Sequence, residues 1–165
     1  MSGSADSTSF KANITTNNNK SYSYRGVEDF YGNIWEWIDG MNIWGNGSLG
    51  GGKVFICSDW KYADDKKDDN YADTGIILPN SDGYIKSFAY SSVYDWLLIT
   101  GEVGGDSASP IGDYIYKTSN LNGFRCALLG GGWSAGLQAG PCYWHLISGS
   151  SDASRGIGAR LIYVP

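Results

Sequence analysis

The amino-acid sequence predicts an α+β domain in which short strands alternate with long irregular segments. The chain has 165 residues, a length that suits one domain with a single core. Its 24 glycines occur in many short blocks, which is typical of turns and loops and disfavours long helices. Short runs rich in β-branched and aromatic residues, at 53–57, 113–116 and 157–164, predict strands.

The chain divides into a lead-in and one domain. Residues 1–20 are polar and include a run of three asparagines, so we expect a loose lead-in. The first four residues are typical of a vector-derived remnant, and they lack the basic and apolar regions of a signal peptide. Residues 21–165 predict the folded domain.

Within the domain, one short apolar run has two interpretations. Ile34, Trp35, Trp37 and Ile38 fit one turn of helix by their spacing, but their alternation with acidic residues fits a strand equally well. The connecting segments are easier to interpret. We expect a glycine-rich loop at 45–52, and a solvated, loop-rich insertion at 59–73, which carries six aspartates.

Composition and charge exclude several classes of protein. Aromatic residues make up 15% of the chain and charged residues 18%, which is too apolar for a disordered chain. A net charge of −5 argues against binding to nucleic acid or anionic membranes. No apolar run approaches the ~20 residues of a membrane span. The three cysteines, Cys57, Cys126 and Cys142, form no Cys-x-x-Cys pair and indicate neither a disulfide framework nor a zinc site.

One segment matches the nucleophile motif of serine hydrolases. Residues 132–136 read Gly-Trp-Ser-Ala-Gly, which fits G-x-S-x-G around Ser134. That motif needs a preceding strand, a following helix, and an acidic residue before the histidine. Glycines flank the match on both sides, and the only histidine, His145, precedes Asp152. We therefore expect no hydrolase.

Three further patterns have a structural explanation that we favour. Residues 47–54 nearly spell a phosphate-binding loop, but a valine replaces the final Ser/Thr and a strand follows. The aspartates of 59–73 lack the spacing of a calcium loop. Glu36 and Asp39 lie three residues apart beside two tryptophans and could form a carboxylate pair on a sugar platform, but core aromatics with locally bonded carboxylates are the simpler interpretation. The sequence thus predicts neither an enzyme nor a cofactor or metal site.

The C-terminal part of the chain has an unusual composition. Residues 1–122 contain 11 Asn, 8 Lys and 3 Glu, whereas residues 123–165 contain none of these three types. The polar positions that remain are mainly serines, interleaved with glycine, tyrosine, tryptophan and one histidine. This mixture resembles an antibody paratope, in which rigid aromatics supply contact area and small polar residues adapt. The alternative is a glycine-rich loop that packs on the core.

Residues 24–40 carry a recognisable pattern, Tyr-Arg-Gly-Val-Glu-Asp-Phe-Tyr-Gly-Asn-Ile-Trp-Glu-Trp-Ile-Asp-Gly. It resembles the R-G-(V/I)-E-(N/D)-x-x-G-N-(I/V)-W-(E/Q)-W-(I/V)-D-G segment of phage and viral tail-tip proteins of the formylglycine-generating-enzyme type. Residues 123–126, 131–133 and 157–161 look like later parts of the same pattern, so the resemblance spans about four fifths of the chain. It implies a C-type lectin fold, with short helices around a small twisted antiparallel sheet and long irregular loops.

The resemblance extends to the variable proteins of diversity-generating retroelements. In these proteins adenines of Asn codons (AAY) are randomised within a C-terminal variable region, here residues 132–156, and such codons never yield Lys, Glu, Met or Trp. This would account for the missing Asn, Lys and Glu. The implied variable, ligand-binding positions are Ser134, Ala135, Leu137, Gln138, His145, Ile147, Ser148, Asp152, Ser154 and Gly156. All but Gln138 are compatible with AAY codons.

The remaining residues of the pattern are implied to be scaffold. The scaffold residues are Trp35, Trp37, Trp133, Trp144 and Arg160, and we expect a core formed by Trp35, Trp37, Phe55, Phe124, Trp133, Leu161 and Tyr163. The catalytic members of the superfamily need a close cysteine pair for copper or three histidines for iron, and calcium lectins carry sugar motifs that are missing here. The resemblance therefore implies the fold without the oxidase chemistry and without calcium-dependent sugar binding.

Together these features predict a hypervariable receptor-binding protein. We expect it on a virion tail or a cell surface, where it binds a protein or glycan receptor of a host or target cell, without nucleic acid and without membrane insertion. A homo-oligomer on a virion is left open. The alternatives are a tail lectin domain without diversification, a hydrolase that uses Ser134, an oxidase that uses Cys126 or Cys142, and a purely structural tail domain.

Overall fold

The structure, a computed structural model, describes residues 23–24, 27–46, 52–62, 64, 66, 68–108, 111–117 and 122–160. Several predictions lie outside these residues. They are the lead-in of 1–20, most of the glycine-rich loop at 45–52, and the core positions Leu161 and Tyr163.

Strands are almost the only regular secondary structure of the described residues, and irregular segments connect them. The strands are β1 (Ser23–Tyr24), β2 (Val27–Glu28), β3 (Trp35–Asn46), β4 (Lys53–Ile56), β5 (Ala72–Ile77), β6 (Gly83–Phe88), β7 (Thr100–Val103), β8 (Tyr114–Tyr116), β9 (Asn122–Leu129), β10 (Trp144–Ser148) and β11 (Ile157–Gly158). The helical content of the described chain is one 3₁₀ turn, Gly136–Gln138.

The predicted α+β class, and with it the C-type lectin fold of short helices around a small sheet, is therefore wrong. The described chain is nearly all β and forms one large sheet that curls into a half-barrel. The physical reason lies in the composition. Strong helix formers such as glutamate and methionine are scarce, whereas tyrosine, tryptophan and glycine are abundant. Of the ambiguous run at 34–38, residues 35–38 accordingly belong to a strand, β3, and Ile34 precedes it.

In the described chain the large sheet has nine strands in the order β5-β4-β3-β9-β10-β8-β6-β7, with β11 also paired to β3. Neighbouring strands are antiparallel except in two places, where β10 runs parallel to β8 and β11 parallel to β3. The strand β3 lies at the centre of this arrangement, because its 12 residues pair with β4, β9 and β11. A separate hairpin joins β1 and β2.

One face of the sheet carries a continuous aliphatic core. We call it the inner face. Its central members alternate along the strands, as Met41 and Ile43 do in β3 and Trp144 and Leu146 do in β10. The cluster consists of Met41, Ile43, Val54, Ile56, Ile76, Leu78, Leu97, Ile99, Ile115, Ala127, Trp144 and Leu146, all of them buried. The predicted strands at 53–57 and 113–116 are confirmed as β4 and β8, and both contribute to this core.

The opposite, outer face is aromatic and polar. Trp37, Leu128, His145 and Tyr116 lie in one row across four strands, because each is the register partner of the next. A smaller cluster of Phe55, Cys57 and Tyr71 forms a second buried site apart from the main core.

A bulge at Gly40 interrupts the regular pairing of β3 with β9. Gly40 has φ of +72°, and a Cβ there would lie 2.5 Å from the carbonyl oxygen of Cys57. The Cys57 N–H donates to the Gly40 carbonyl at 2.8 Å, and the register between β3 and β9 shifts between Ile38 and Asn42. Only glycine fits this left-handed, closely packed position.

The predicted aromatic core is found only in part. Phe55 is buried, and Trp35, Trp37 and Phe124 are half-buried. Trp133 is 57% exposed and does not belong to the core. Of the last predicted strand, 157–164, Ile157–Gly158 form β11, residues 159–160 lie outside any strand, and 161–164 lie outside the described residues. Among the described residues no helix is long and apolar enough to span a membrane.

Candidate functional site

The segment between β9 and β11, residues 130–156, is attached to the scaffold at its start by main-chain bonds. The Gly32 N–H lies 3.1 Å from the carbonyl oxygens of both Gly130 and Gly131. One residue further on, Asn33 forms a parallel bridge with Gly132, and its carbonyl accepts from the Trp133 N–H at 2.9 Å. These bonds do not depend on side chains, so they hold the segment whatever residues it carries.

The end of the same segment is attached in a similar way. The Trp35 N–H donates to the Gly156 carbonyl at 2.8 Å, and β11 then pairs in parallel with the start of β3. Just beyond, the Arg160 guanidinium forms an ion pair with Glu36 and donates to the Asp29 carbonyl at 2.8 Å. Residues 32–36 thus hold both ends of segment 130–156.

Between these two attachments lies an open groove of about 570 Å³, which we call groove A. This volume is in the range of small-molecule and side-chain binding sites. Its lining comes from three strands and from segment 130–156. The lining residues are Trp35, Leu128, Gly132, Trp133, Ser134, His145, Ser148, Asp152, Ala153, Ser154, Arg155, Gly156 and Ile157.

Groove A brings together six of the ten positions that the sequence predicts to be ligand-binding. These are Ser134, His145, Ser148, Asp152, Ser154 and Gly156. The other four do not line the groove. Ala135, Leu137 and Gln138 lie in or beside the 3₁₀ turn, where Leu137 is 77% exposed, and Ile147 is half-buried on β10.

His145 forms the floor of groove A, between two aromatic rings. Its ring centroid lies 5.0 Å from that of Trp35 and 5.0 Å from that of Tyr116, and the Tyr116 ring is nearly parallel to it. The imidazole Nδ1 is 3.3 Å from the Ser148 Oγ. Burial lowers the pKa of His145, and the carboxylate of Asp152 opposes this shift only in part. The floor therefore presents a neutral imidazole at neutral pH.

The rim of groove A carries a tryptophan, an arginine and two small polar side chains. The Arg155 guanidinium lies 5.8 Å from the centre of the exposed Trp133 ring, close enough for a cation–π contact. Asp152 accepts from the Gly149 N–H at 3.1 Å, and the Ser154 hydroxyl accepts from the Gly156 N–H at 3.1 Å. These local bonds orient the rim residues in turns without helix or strand.

A second groove of about 590 Å³, groove B, lies on the other side of the segment that leads into β11. Sequence reasoning did not predict it. It treated Trp37 and Arg160 as scaffold, and it treated the aspartate-rich insertion as solvated and apart from the variable region. The lining residues are Trp37, Ile38, Asp39, Gly40, Asn42, Asp64, Cys126, Ser150, Ala159 and Arg160.

The structure separates the two carboxylates that could have formed a pair. Glu36 is bound by Arg160, whereas Asp39 lines groove B. The aspartate-rich insertion contributes Asp64, whose main-chain carbonyl accepts from the buried amide of Asn42 at 2.8 Å. This bond attaches the insertion to β3. No signal in the sequence linked residues 22 positions apart.

A buried carboxylate fixes the turn before β10. The Asp113 Oδ2 accepts from the Cys142 N–H at 2.5 Å, and a Cβ at Gly140 would collide with this carboxylate. Burial raises the pKa of Asp113. Burial, together with the nearby Asp113, raises the pKa of the Cys142 thiol to about 11. Cys142 therefore stays a thiol at neutral pH and is a poor nucleophile and a poor metal ligand.

The local structure around Ser134 differs from a hydrolase elbow. A 3₁₀ turn follows Ser134, and the hydroxyl that contacts the His145 ring belongs to Ser148. Among the described residues no group of three or more His, Cys, Asp or Glu could hold a metal ion. The three cysteines are free thiols.

No protein-family model, curated protein or solved structure matches this chain. The family resemblance therefore rests on the sequence motif of residues 24–40 given above.

Proposed function

We propose that this protein binds a receptor on a host or target cell through groove A, and that six of the residues lining the groove are exchangeable positions of a diversity-generating retroelement. The observation that carries the proposal is the convergence of Ser134, His145, Ser148, Asp152, Ser154 and Gly156 on one groove. These positions come from different parts of segment 130–156.

The attachment of the segment supports exchange of its side chains. Main-chain bonds to Gly32, Asn33 and Trp35 hold its two ends. Side chains at Ser134, Asp152 and Ser154 are exposed. Substitutions at exposed positions usually change the free energy of unfolding by less than about 0.5 kcal/mol. Many different groove surfaces can then be presented on one fold.

The chemistry of groove A suits selective binding. Trp133 and Arg155 belong to residue types that are enriched at interface hot spots. The ring of His145, on the floor, combines an apolar body with a polar edge. Asp152 and the serines supply hydrogen-bonding groups that define which ligand fits. The ligand is a protein or a glycan, and display of several copies on a virion tail or cell surface would raise a modest affinity per site.

The decisive test is to sequence the 3′ end of the gene together with its flanking DNA. We expect a near-repeat of the codons for residues 132–156 that differs only at adenines, with a reverse transcriptase gene nearby. If neither is found, the groove is an ordinary binding site without diversification and this part of the proposal is wrong.

Binding itself is tested with two matched variants of the displayed protein. Ser154→Tyr places a large side chain at groove A, and Ser92→Tyr places the same side chain at an exposed serine that lines neither groove. We expect Ser154→Tyr to reduce attachment to host or target cells at least tenfold and Ser92→Tyr to leave it unchanged. Equal attachment by both variants would favour a purely structural domain.

A further inference from the structure

Groove B is as large as groove A and is formed by five separated parts of the chain. Its floor comes from β3 and β9, one wall from the aspartate-rich insertion through Asp64, and the other from Ser150 and Arg160 near β11. None of the ten sequence-predicted ligand-binding positions lines it. It is thus distinct from the site described above.

Most of the charges around groove B are already balanced. The Arg160 guanidinium is paired with Glu36, and the Asp64 carboxylate lies 3.1 Å from the Lys66 ammonium. Asp39 is the exception, because no partner for its exposed carboxylate is found among the described residues. Among the described residues that line the groove, the Asp39 carboxylate is therefore the one charge without a partner of opposite sign.

Trp37 lines the groove together with Asp39, and this combination indicates which class of ligand the groove could bind. Trp37 and Asp39 are two positions apart on β3. Both line the groove, and Trp37 is half-buried while Asp39 is exposed. A carboxylate next to an aromatic ring favours a cation, which forms a charge-assisted hydrogen bond with the carboxylate and a cation–π contact with the ring.

The walls of the groove are held in place before any ligand arrives. Asn42 donates to the carbonyls of Asp64 and Lys66 at 2.8 and 3.1 Å, and the Tyr71 hydroxyl donates to the Asp64 carbonyl at 2.6 Å. On the other side, Arg160 is bound to β3 through Glu36. A site whose walls are already ordered loses less entropy on binding.

We propose that groove B is a second binding site, which takes a guanidinium or a primary ammonium group between Asp39 and Trp37. The two residues that would bind the cation do not depend on diversification, since Trp37 and Asp39 lie outside residues 132–156, although Ser150 in the wall of the groove lies within them. The cation comes either from an Arg or Lys side chain of a protein partner or from a free amine. The net charge of −5 also favours the approach of cations.

The test is a titration of the full chain, labelled with ¹⁵N, followed by nuclear magnetic resonance. The probes are N-acetyl-L-arginine N-methylamide, which represents a protein side chain, and putrescine, which represents a free amine. Methyl glucoside and N-acetyl-L-aspartate N-methylamide are the neutral and anionic comparators. The indole N–H of Trp37, assigned with Trp37→Phe, and the amide of Ser150 are the reporters.

We expect saturable shifts at both reporters with at least one cation, and binding at least tenfold weaker for the two comparators. The cation that binds more tightly shows whether the natural ligand is a side chain of a protein partner or a free amine. Asp39→Asn should weaken the binding of the cation about tenfold, because it removes the charge-assisted hydrogen bond between the carboxylate and the cation. Ser150→Trp should abolish it by filling the groove, and it tests the site without changing its charge.

A matched control exists elsewhere on the surface. Asp95 is an exposed carboxylate beside Trp96, which is 62% exposed, and neither residue lines groove B. Asp95→Asn removes the same charge next to the same type of ring and should leave the binding unchanged. The proposal is overturned if neither cation gives a saturable shift, if the glucoside binds as tightly, or if Asp39→Asn and Ser150→Trp, shown to be folded by their spectra, bind like the parent.

Discussion

The two faces of the large sheet differ in chemistry. The inner face is aliphatic and buried, with residues such as Ile43, Ile115 and Leu146 at 0% exposure. The outer face carries rings and polar groups around the buried Leu128; Trp37 and His145 on this face are half-buried and each lines one of the two grooves. This difference implies that the inner face provides most of the stability and that the outer face is available for recognition.

The largest expected effect tests this division directly on β10. Leu146 is fully buried in the inner core, whereas its neighbour Ile147 is half-buried. Leu146→Ala should lower the free energy of unfolding by about 2–5 kcal/mol, because it removes apolar contacts and leaves a cavity. Ile147→Ala should cost less than about 1.5 kcal/mol, because the lost side chain is only partly removed from water. Urea denaturation of both variants measures the difference, and equal losses would contradict the division between faces.

A second prediction compares the attached start of segment 130–156 with its exposed middle. Gly131 and Gly136 both have positive φ, +83° and +57°. A Cβ at Gly131 would lie 2.9 Å from the Tyr143 ring, whereas a Cβ at Gly136 would meet nothing within 4 Å.

Alanine at both positions carries the left-handed backbone penalty, which is about 1–2 kcal/mol. Gly131→Ala adds a steric clash and should cost about 1–3 kcal/mol more, since overpacking displaces its neighbours. Thermal or urea unfolding of the two variants gives the comparison. If Gly136→Ala were the more destabilising, the attachment at 130–133 would not be what holds the segment.

The sequence alone was sufficient for some of the strands but not for the fold class. Short β-branched runs such as 53–57 predicted strands correctly, because strand composition is a local property. The short helices expected from the family resemblance are not present among the described residues, where one 3₁₀ turn is the helical content. The resemblance rests on short motifs, which carry little information about the segments between them. The long strand β3 required pairing with three partners, which are distant in sequence.

The candidate sites show the same limit. Groove A was accessible to sequence reasoning because most of its walls come from one segment of unusual composition. Trp133 was assigned to the scaffold and the core because a randomised AAY codon cannot yield tryptophan, yet here it lies at the rim with Arg155. Groove B could not be predicted, because it brings together β3, the aspartate-rich insertion and Arg160, which are far apart in the sequence.

The smallest expected effect concerns the pH dependence of the outer face and involves the only histidine of the chain, His145. Its pKa in the folded protein is lowered from 6.5 by burial between the rings and strands of groove A. Above pH 6.5 the imidazole is neutral in both states, so it adds no pH dependence. Between 6.5 and the lowered value the unfolded chain binds a proton that the folded chain does not, and the free energy of unfolding therefore decreases as the pH falls.

The slope from this single group cannot exceed about 1.4 kcal/mol per pH unit. His145→Phe keeps an aromatic ring between Trp35 and Tyr116 and removes the titration, so it is the matched control. Asp113, whose pKa is raised by burial, contributes with the opposite sign at lower pH, but it is present in both proteins and cancels in their difference. Urea denaturation from pH 5 to 8 should show a steeper loss of stability on acidification for the parent than for the variant. A steeper loss for the variant would mean that His145 is charged in the folded protein, and that the floor of groove A is a cationic surface and not a neutral one.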